Sequence, residues 1–93
     1  MAEIAVRLVI EGRVQGVGFR YWTVEQAKEF KLTGWVRNRR DGTVEALVSG
    51  DEVAVKAMIA ACAKGPLGAR VAAVKQFPAA PPDEPGFRQR LTE

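Results

Sequence analysis

Two groups of residues in this chain have the types and spacing to do chemistry on an anion. The first is Gly12-Arg13-Val14-Gln15-Gly16-Val17-Gly18-Phe19-Arg20, a run with three glycines. It joins a segment of alternating hydrophobicity to one with helical spacing. A glycine-rich bend in that position can aim several backbone N–H groups into one concavity. The helix that follows adds its own free N–H groups and the positive end of its dipole. Such a cradle accepts a phosphate. The amides of Gln15, Gly16, Val17, Gly18 and Phe19 are its candidate donors, and Arg20 is its candidate bidentate clamp. An arginine in the first helical turn opposes the dipole by about 0.3–1 kcal/mol, and a bound anion removes that conflict. Plainer readings stand beside this one. Glycines between strand and helix also serve as simple turn residues, and Arg20 also reads as a solvated helix cation. The run lacks the Gly-Lys-Ser/Thr of a nucleotide-triphosphate loop, and Tyr21 stands where a dinucleotide fingerprint has its third glycine.

The second group is Asn38, flanked by Arg37, Arg39 and Arg40. Asparagine is depleted in strands. Beside the turn signal Asp41-Gly42 it is also ordinary, and the arginines suit a solvated strand edge that blocks further pairing.

Other chemistries are excluded by composition. The 93 residues contain no His and one Cys. No imidazole base, phosphohistidine, intrachain disulfide or cysteine-based zinc cluster is possible. Cys62 lies at helical spacing from Met58 and Ile59 and reads as a small buried apolar residue. No apolar run approaches the ~18 residues of a membrane span. Glu3, Arg7 and Glu11 interrupt the first apolar segment, which is therefore no signal peptide. A free thiol and no export signal point to the cytoplasm. The net charge of +3, from 14 Lys+Arg and 11 Asp+Glu, is too small for wholesale nucleic-acid binding. At 47% hydrophobic and 27% charged, the chain can bury one core, and a single domain over residues 1–93 is expected.

The elements that must position these groups follow from periodicity. Residues 5–11 alternate, with Val6, Leu8 and Ile10 on one face, as a half-buried strand does. Gly12 is read as opening the loop. A helix is expected over about 19–31, with Phe19, Trp22, Ala27 and Phe30 on its inner stripe. Gly34 ends that segment, and Trp35–Arg39 reads as a second strand. Asp41-Gly42 turns the chain into a third strand, Thr43–Ser49. Gly50 breaks it, and Asp51 caps a second helix over about 52–64, with Val55, Met58, Ile59 and Cys62 inward. Gly65-Pro66 stops that helix. Arg70–Phe77 is a fourth strand, residues 78–86 a proline-rich connection, and Phe87–Leu91 a short last strand. The order β-α-β-β-α-β is the ferredoxin-like split β-α-β arrangement of the α+β class: a mainly antiparallel sheet of four to five strands with two helices on one face. In such a sheet the strands after the two helices are expected to flank the first strand, which brings Asn38 near the glycine-rich bend.

The segments G-R-V-Q-G-V-G-F-R at 12–20 and G-W-V-R-N-R-R-D-G-T-V-E at 34–45, with K-G-P-L-G-A-R-V at 64–71, resemble the acylphosphatase family over nearly the whole chain. That resemblance implies a five-stranded sheet with two helices, and hydrolysis of acyl phosphates to a carboxylate and inorganic phosphate without a metal or other cofactor. It matches Arg20 to the substrate-binding arginine and Asn38 to the catalytic asparagine that orients water. It matches the backbone from Gln15 to Phe19 to the phosphate cradle. Arg39, Leu67, Gln89 and Leu91 depart from the family's usual residues; the last two are expected to bear on the packing of the final strand and not on chemistry.

Residue types fit that reaction. The leaving carboxylate needs little acid help, so holding phosphorus and placing water in line is the main task. No side chain in either motif is an obvious general base, and the water's proton is expected to pass to the substrate's own phosphate. The partners expected are a small acyl phosphate and the phosphate product, with no nucleic acid and no membrane, and the protein is expected to be a free-standing monomer. The alternative is a non-catalytic anion- or nucleic-acid-binding module on the same fold. RNA-recognition domains share the element order, but they stack bases on sheet aromatics, and Thr43–Ser49 carries none.

Overall fold

The computed structural model describes residues 2–93; Met1, the first residue of the expected domain, lies outside them. The elements are β1 (Glu3–Arg13), α1 (Phe19–Glu29), β2 (Thr33–Asn38), β3 (Val44–Asp51), α2 (Glu52–Lys64), β4 (Arg70–Pro78) and β5 (Phe87–Gln89). They build a five-stranded sheet in the order β4-β1-β3-β2-β5. Its pairs are antiparallel except β2–β5, which is parallel. The ferredoxin-like α+β arrangement is thus present, with one strand neighbour different from the expectation. Strand β3, not β2, lies beside β1. Asn38 therefore sits one strand further from β1, paired with Val44.

Alternation decides which face is covered. Leu8 and Ile10 of β1, Val36 of β2, and Val44, Ala46 and Val48 of β3 are fully buried. They form one cluster with Phe19, Val24 and Ala27 of α1 and Val55, Met58 and Cys62 of α2. The period-two and helical patterns in the sequence meet in this cluster. Asp51 caps α2 as its residue type suggests, its Oδ2 accepting from the Val53 N–H at 3.1 Å. Gly65 closes that helix, donating to the Ala61 carbonyl at 2.8 Å.

Three glycines read from sequence as breaks lie inside strands. Gly12 pairs with Val71 while Glu11 pairs with Ala73, so Ala72 is an extra residue that bulges β4 opposite the end of β1. Gly34 pairs with Val48 and Phe87. A Cβ there would sit 1.8 Å from the Leu47 carbonyl oxygen, at φ +140°. Gly50 pairs with Ile4. Glycine inside a strand marks close backbone approach as often as an end. Helix α1 ends instead at Glu29, and the chain turns away at Lys31, with φ 59°. The Leu32 N–H reaches back to Ala27 O at 2.9 Å and the Lys31 N–H to Lys28 O at 3.1 Å, the double bond of a Schellman turn. It drops Leu32 into the core at 4% exposure. The helix is two residues shorter than periodicity implied for that reason.

The sheet face away from the helices carries a charge cluster. Glu45, 3% exposed, takes Arg7 Nη1 at 3.0 Å, Arg37 Nε at 2.7 Å and Arg39 Nη1 at 3.0 Å. The arginines beside Asn38 are thus tethered across the sheet. Burial works to raise the Glu45 carboxyl pKa, and the hydrogen bonds from Arg37, Arg39 and Arg7 outweigh it, so the pKa lies below the ordinary carboxylate value. A group lowered in this way stabilises the fold above its unfolded pKa. That stabilisation is lost as pH falls through the folded value. Urea denaturation should show Glu45→Gln less stable than wild type by about 1–3 kcal/mol at pH 7. The gap should narrow as the pH drops through the carboxylate range; a gap constant with pH would contradict the tether. Gly34→Ala should lower the denaturation midpoint without changing the slope, a loss of stability of at least the ~1–3 kcal/mol that a forced positive φ costs.

Candidate active site

The bend between β1 and α1 is fixed at both ends by burial. Val14 and Phe19 are each 1% exposed and belong to the core. Between them Gly16 (φ 75°) and Gly18 (φ 78°) turn the backbone where a side chain is disfavoured, with open space around each. Gly18 is also the N-cap of α1 and supplies no capping side chain. Among the described residues, no hydrogen bond within the protein uses the backbone N–H of Gln15, Gly16, Val17 or Gly18. The bend and the first turn of α1 thus present a run of free donors. Arg20 follows in that turn, with no carboxylate in ion-pair range among the described residues.

Gln15 joins this bend to the other candidate. Its Nε2 donates to Arg39 O at 2.7 Å and to Thr43 O at 2.9 Å. Those carbonyls belong to the β2–β3 turn, directly after Asn38. The turn is closed by Arg39 N–H to Thr43 O at 2.8 Å. Asp41 Oδ1 accepts from Thr43 N–H at 2.9 Å and Oγ1 at 2.7 Å; those two bonds, side chain first, pull the Asp41 carboxyl below its ordinary pKa. On the other edge, Glu93 N–H donates to Asn38 O at 3.1 Å, and Arg37 Nη1 pairs with Glu93 Oε2 at 2.9 Å. The backbone of Asn38 is thereby held from both sides. Its side-chain amide has no protein hydrogen-bond partner among the described residues.

Despite the intervening strand, the bend and Asn38 meet. A hollow of about 130 Å³ is lined by Val14, Gly16, Gly18, Phe19, Arg20, Tyr21, Asn38 and Gln89. Of the residues expected from sequence, Gly16, Gly18, Phe19, Arg20 and Asn38 line it. Gln15 and Val17 do not; the Gln15 side chain turns to the β2–β3 turn and Val17 packs on the core, so either could face an anion only through its backbone N–H. Val14, Tyr21 and Gln89 line it and were not singled out for chemistry. Gln89 was read as a packing difference of the last strand. Its signal was its place on β5, paired in register with Val36, two residues before Asn38.

Size does not identify the site. A larger hollow of about 330 Å³ lies around Trp35, Pro82, Asp83, Glu84, Arg88 and Arg90. It has carboxylates in its wall and neither Arg20 nor Asn38. Cys62 is fully buried, and burial pushes its thiol up to about 12, which makes it an inert core residue. Among the described residues, no group of three or more Cys, Asp or Glu side chains is gathered to hold a metal.

Comparison with known proteins identifies the family. The model of the family described as Acylphosphatase matches residues 6–89. An acylphosphatase of Acidiphilium cryptum is 54% identical over 89 residues, covering 96% of this chain and 98% of that protein. One from Rhodospirillum rubrum is 59% identical over 81 residues, covering 87% and 89%. The solved structure of an acylphosphatase from Coxiella burnetii superposes with a TM-score of 0.90 at 33% identity, covering 95% of this chain and 93% of that one. With a family model spanning the bend, the Asn38 strand and β5, and near-full-length relatives above half identity, this chain belongs to the acylphosphatase family.

Proposed function

We propose that this member of the acylphosphatase family, a hydrolase acting on acid anhydrides, holds the phosphoryl group of an acyl phosphate on the 15–20 bend and Arg20, and aligns the attacking water with Asn38. The observation that carries the assignment is the single hollow walled by the bend, Arg20 and Asn38. The free N–H groups of the bend and first helical turn take the phosphoryl oxygens, and the Arg20 guanidinium neutralises them. Asn38 has its backbone fixed and its amide free. It accepts a hydrogen bond from water through Oδ1 and sets the approach to phosphorus. The water oxygen forms a bond to phosphorus as the bond from phosphorus to the acyl oxygen breaks. The electron pair leaves with the carboxylate. The water's proton passes to a phosphoryl oxygen, since the hollow contains no carboxylate or imidazole to take it.

The proposed partners are the small acyl phosphate and its phosphate product. Both large aromatics on the uncovered sheet face are already overlain by guanidinium groups, Trp35 by Arg37 at 4.7 Å and Arg90 at 5.0 Å, and Phe77 by Arg7 at 4.5 Å. This favours a protein that does not stack nucleic-acid bases there. No helix among the described residues is long and apolar enough to cross a membrane. We further propose that it acts as a single-domain monomer in the cytoplasm.

The test is hydrolysis of acetyl phosphate with and without chelator, together with two variants. Arg20→Ala should weaken both inhibition by inorganic phosphate and turnover. Asn38→Ala should keep phosphate inhibition and lose about 10²–10³ in kcat, the usual effect of deleting one preorganised group. Full kcat in Asn38→Ala would refute its role, and loss of activity with chelator would refute a metal-free reaction. Gln15→Leu removes the strap between the bend and the turn after Asn38. It should lower kcat and weaken phosphate inhibition together, and cost about 1–3 kcal/mol in stability through two lost hydrogen bonds, although both carbonyls keep a backbone partner, Gly42 N–H on Arg39 O and Arg39 N–H on Thr43 O; kinetics and thermal unfolding read these effects.

A further inference from the structure

The hollow that holds Arg20 and Asn38 measures about 130 Å³, below the roughly 300–1,000 Å³ of sites that engulf a whole organic ligand. A phosphoryl group and one water can lie inside it; the acyl group has to lie on its rim. On the reading proposed above, Gly16, Gly18, Arg20 and Asn38 are taken up by the phosphate and water. Val14 and Phe19 form the buried floor. Two lining residues remain, Tyr21 and Gln89.

Tyr21 follows Arg20 in the first turn of α1 and is 65% exposed. A single exposed ring is ordinary on a protein surface; this one borders the hollow. Among the described residues it makes no aromatic pair and has no guanidinium stacked over its ring, unlike Trp35 and Phe77. Gln89 comes from a different element, β5. It pairs with Val36 in parallel register, so its side chain lies on the same sheet face as Val36 and Asn38. It too is exposed, and its amide has no protein partner among the described residues. The rim thus offers one flat apolar surface and one neutral hydrogen-bond donor, from two different elements, beside the place where the acyl carbonyl must emerge.

We infer that Tyr21 and Gln89 form the acyl-side rim of the site and select acyl phosphates with a flat, apolar acyl group. The Tyr21 ring lies along that group, and the Gln89 Nε2–H donates to the acyl carbonyl oxygen. Neither residue touches the phosphoryl group. Their effect falls on which acyl phosphate is bound and not on how phosphate is held.

The test compares benzoyl phosphate with acetyl phosphate as substrates of the whole chain, with inorganic phosphate as inhibitor. Tyr21→Ala should raise the ratio of KM for benzoyl phosphate to KM for acetyl phosphate by roughly threefold to tenfold, the range an aromatic contact supports. Tyr21→Phe should restore the ratio. Gln89→Leu should raise KM for both substrates by more than it changes inhibition by phosphate. Equal changes for the two substrates in Tyr21→Ala, or KM and phosphate inhibition moving together in Gln89→Leu, would overturn the rim. Wild-type protein that hydrolyses neither substrate would instead overturn the underlying function. Thermal unfolding of each variant separates a lost fold from a lost contact.

Discussion

The arrangement depends on one side chain reaching across a strand. The candidate phosphate cradle ends β1 and the candidate water-positioning residue ends β2, and β3 lies between those strands. Gln15 spans the gap with two hydrogen bonds from one Nε2, at 2.7 and 2.9 Å, to the carbonyls on either side of the β2–β3 turn. A nitrogen with two hydrogens satisfies two acceptors at once, and no other neutral side chain but Asn carries that group. Asn is one methylene shorter. The strap makes the two halves of the hollow parts of one body, which is what orientation catalysis asks of its scaffold.

Around that strap the fold supplies rigidity from opposite sources. Below the bend, Val14 and Phe19 are locked in a close-packed core. Above the strand that carries Asn38, Glu45 gathers three arginines, one of them Arg37, which also holds Glu93. A buried carboxylate is costly when unpaired and tolerable when every oxygen is engaged. Here both oxygens are engaged, and the arginines at 37 and 39 are fastened in place of fraying at an edge. At Gly16 and Gly18 the open surroundings leave room for an anion to approach the backbone. Rigidity beneath and exposed amides above are the conditions for a preorganised oxyanion site.

Much of this was legible in the amino-acid sequence, for identifiable reasons. The alternation of Val6, Leu8 and Ile10 and the helical spacing of Val55, Met58 and Cys62 gave the elements, because burial enforces period. Arg20 and Asn38 were legible because each sits in a motif whose local rules it breaks, a cation at a helix start and an amide in a strand. The glycines were harder. Gly12, Gly34 and Gly50 punctuate the sequence like ends, yet they lie in strands because a neighbouring backbone or side chain occupies the space of a Cβ. That cause is tertiary and leaves no local trace. The same holds for Lys31, a left-handed residue where glycine is usual, held there by the burial of Leu32. The place of β3 between β1 and β2 is a topological fact that periodicity does not contain. Gln89 reached the hollow only through the parallel pairing of β5 with β2.

The central claim is that the bend after β1 holds a phosphate in the hollow that the Asn38 amide, at the end of β2, also lines. Titration of the isotope-labelled protein with inorganic phosphate, followed by backbone and side-chain amide NMR, tests it most directly. The account expects the largest shifts at the backbone N–H groups of residues 15–20, accompanied by the Asn38 side-chain amide. Shifts centred on the larger hollow around Trp35, Arg88 and Arg90, or spread evenly over the basic surface, would contradict it.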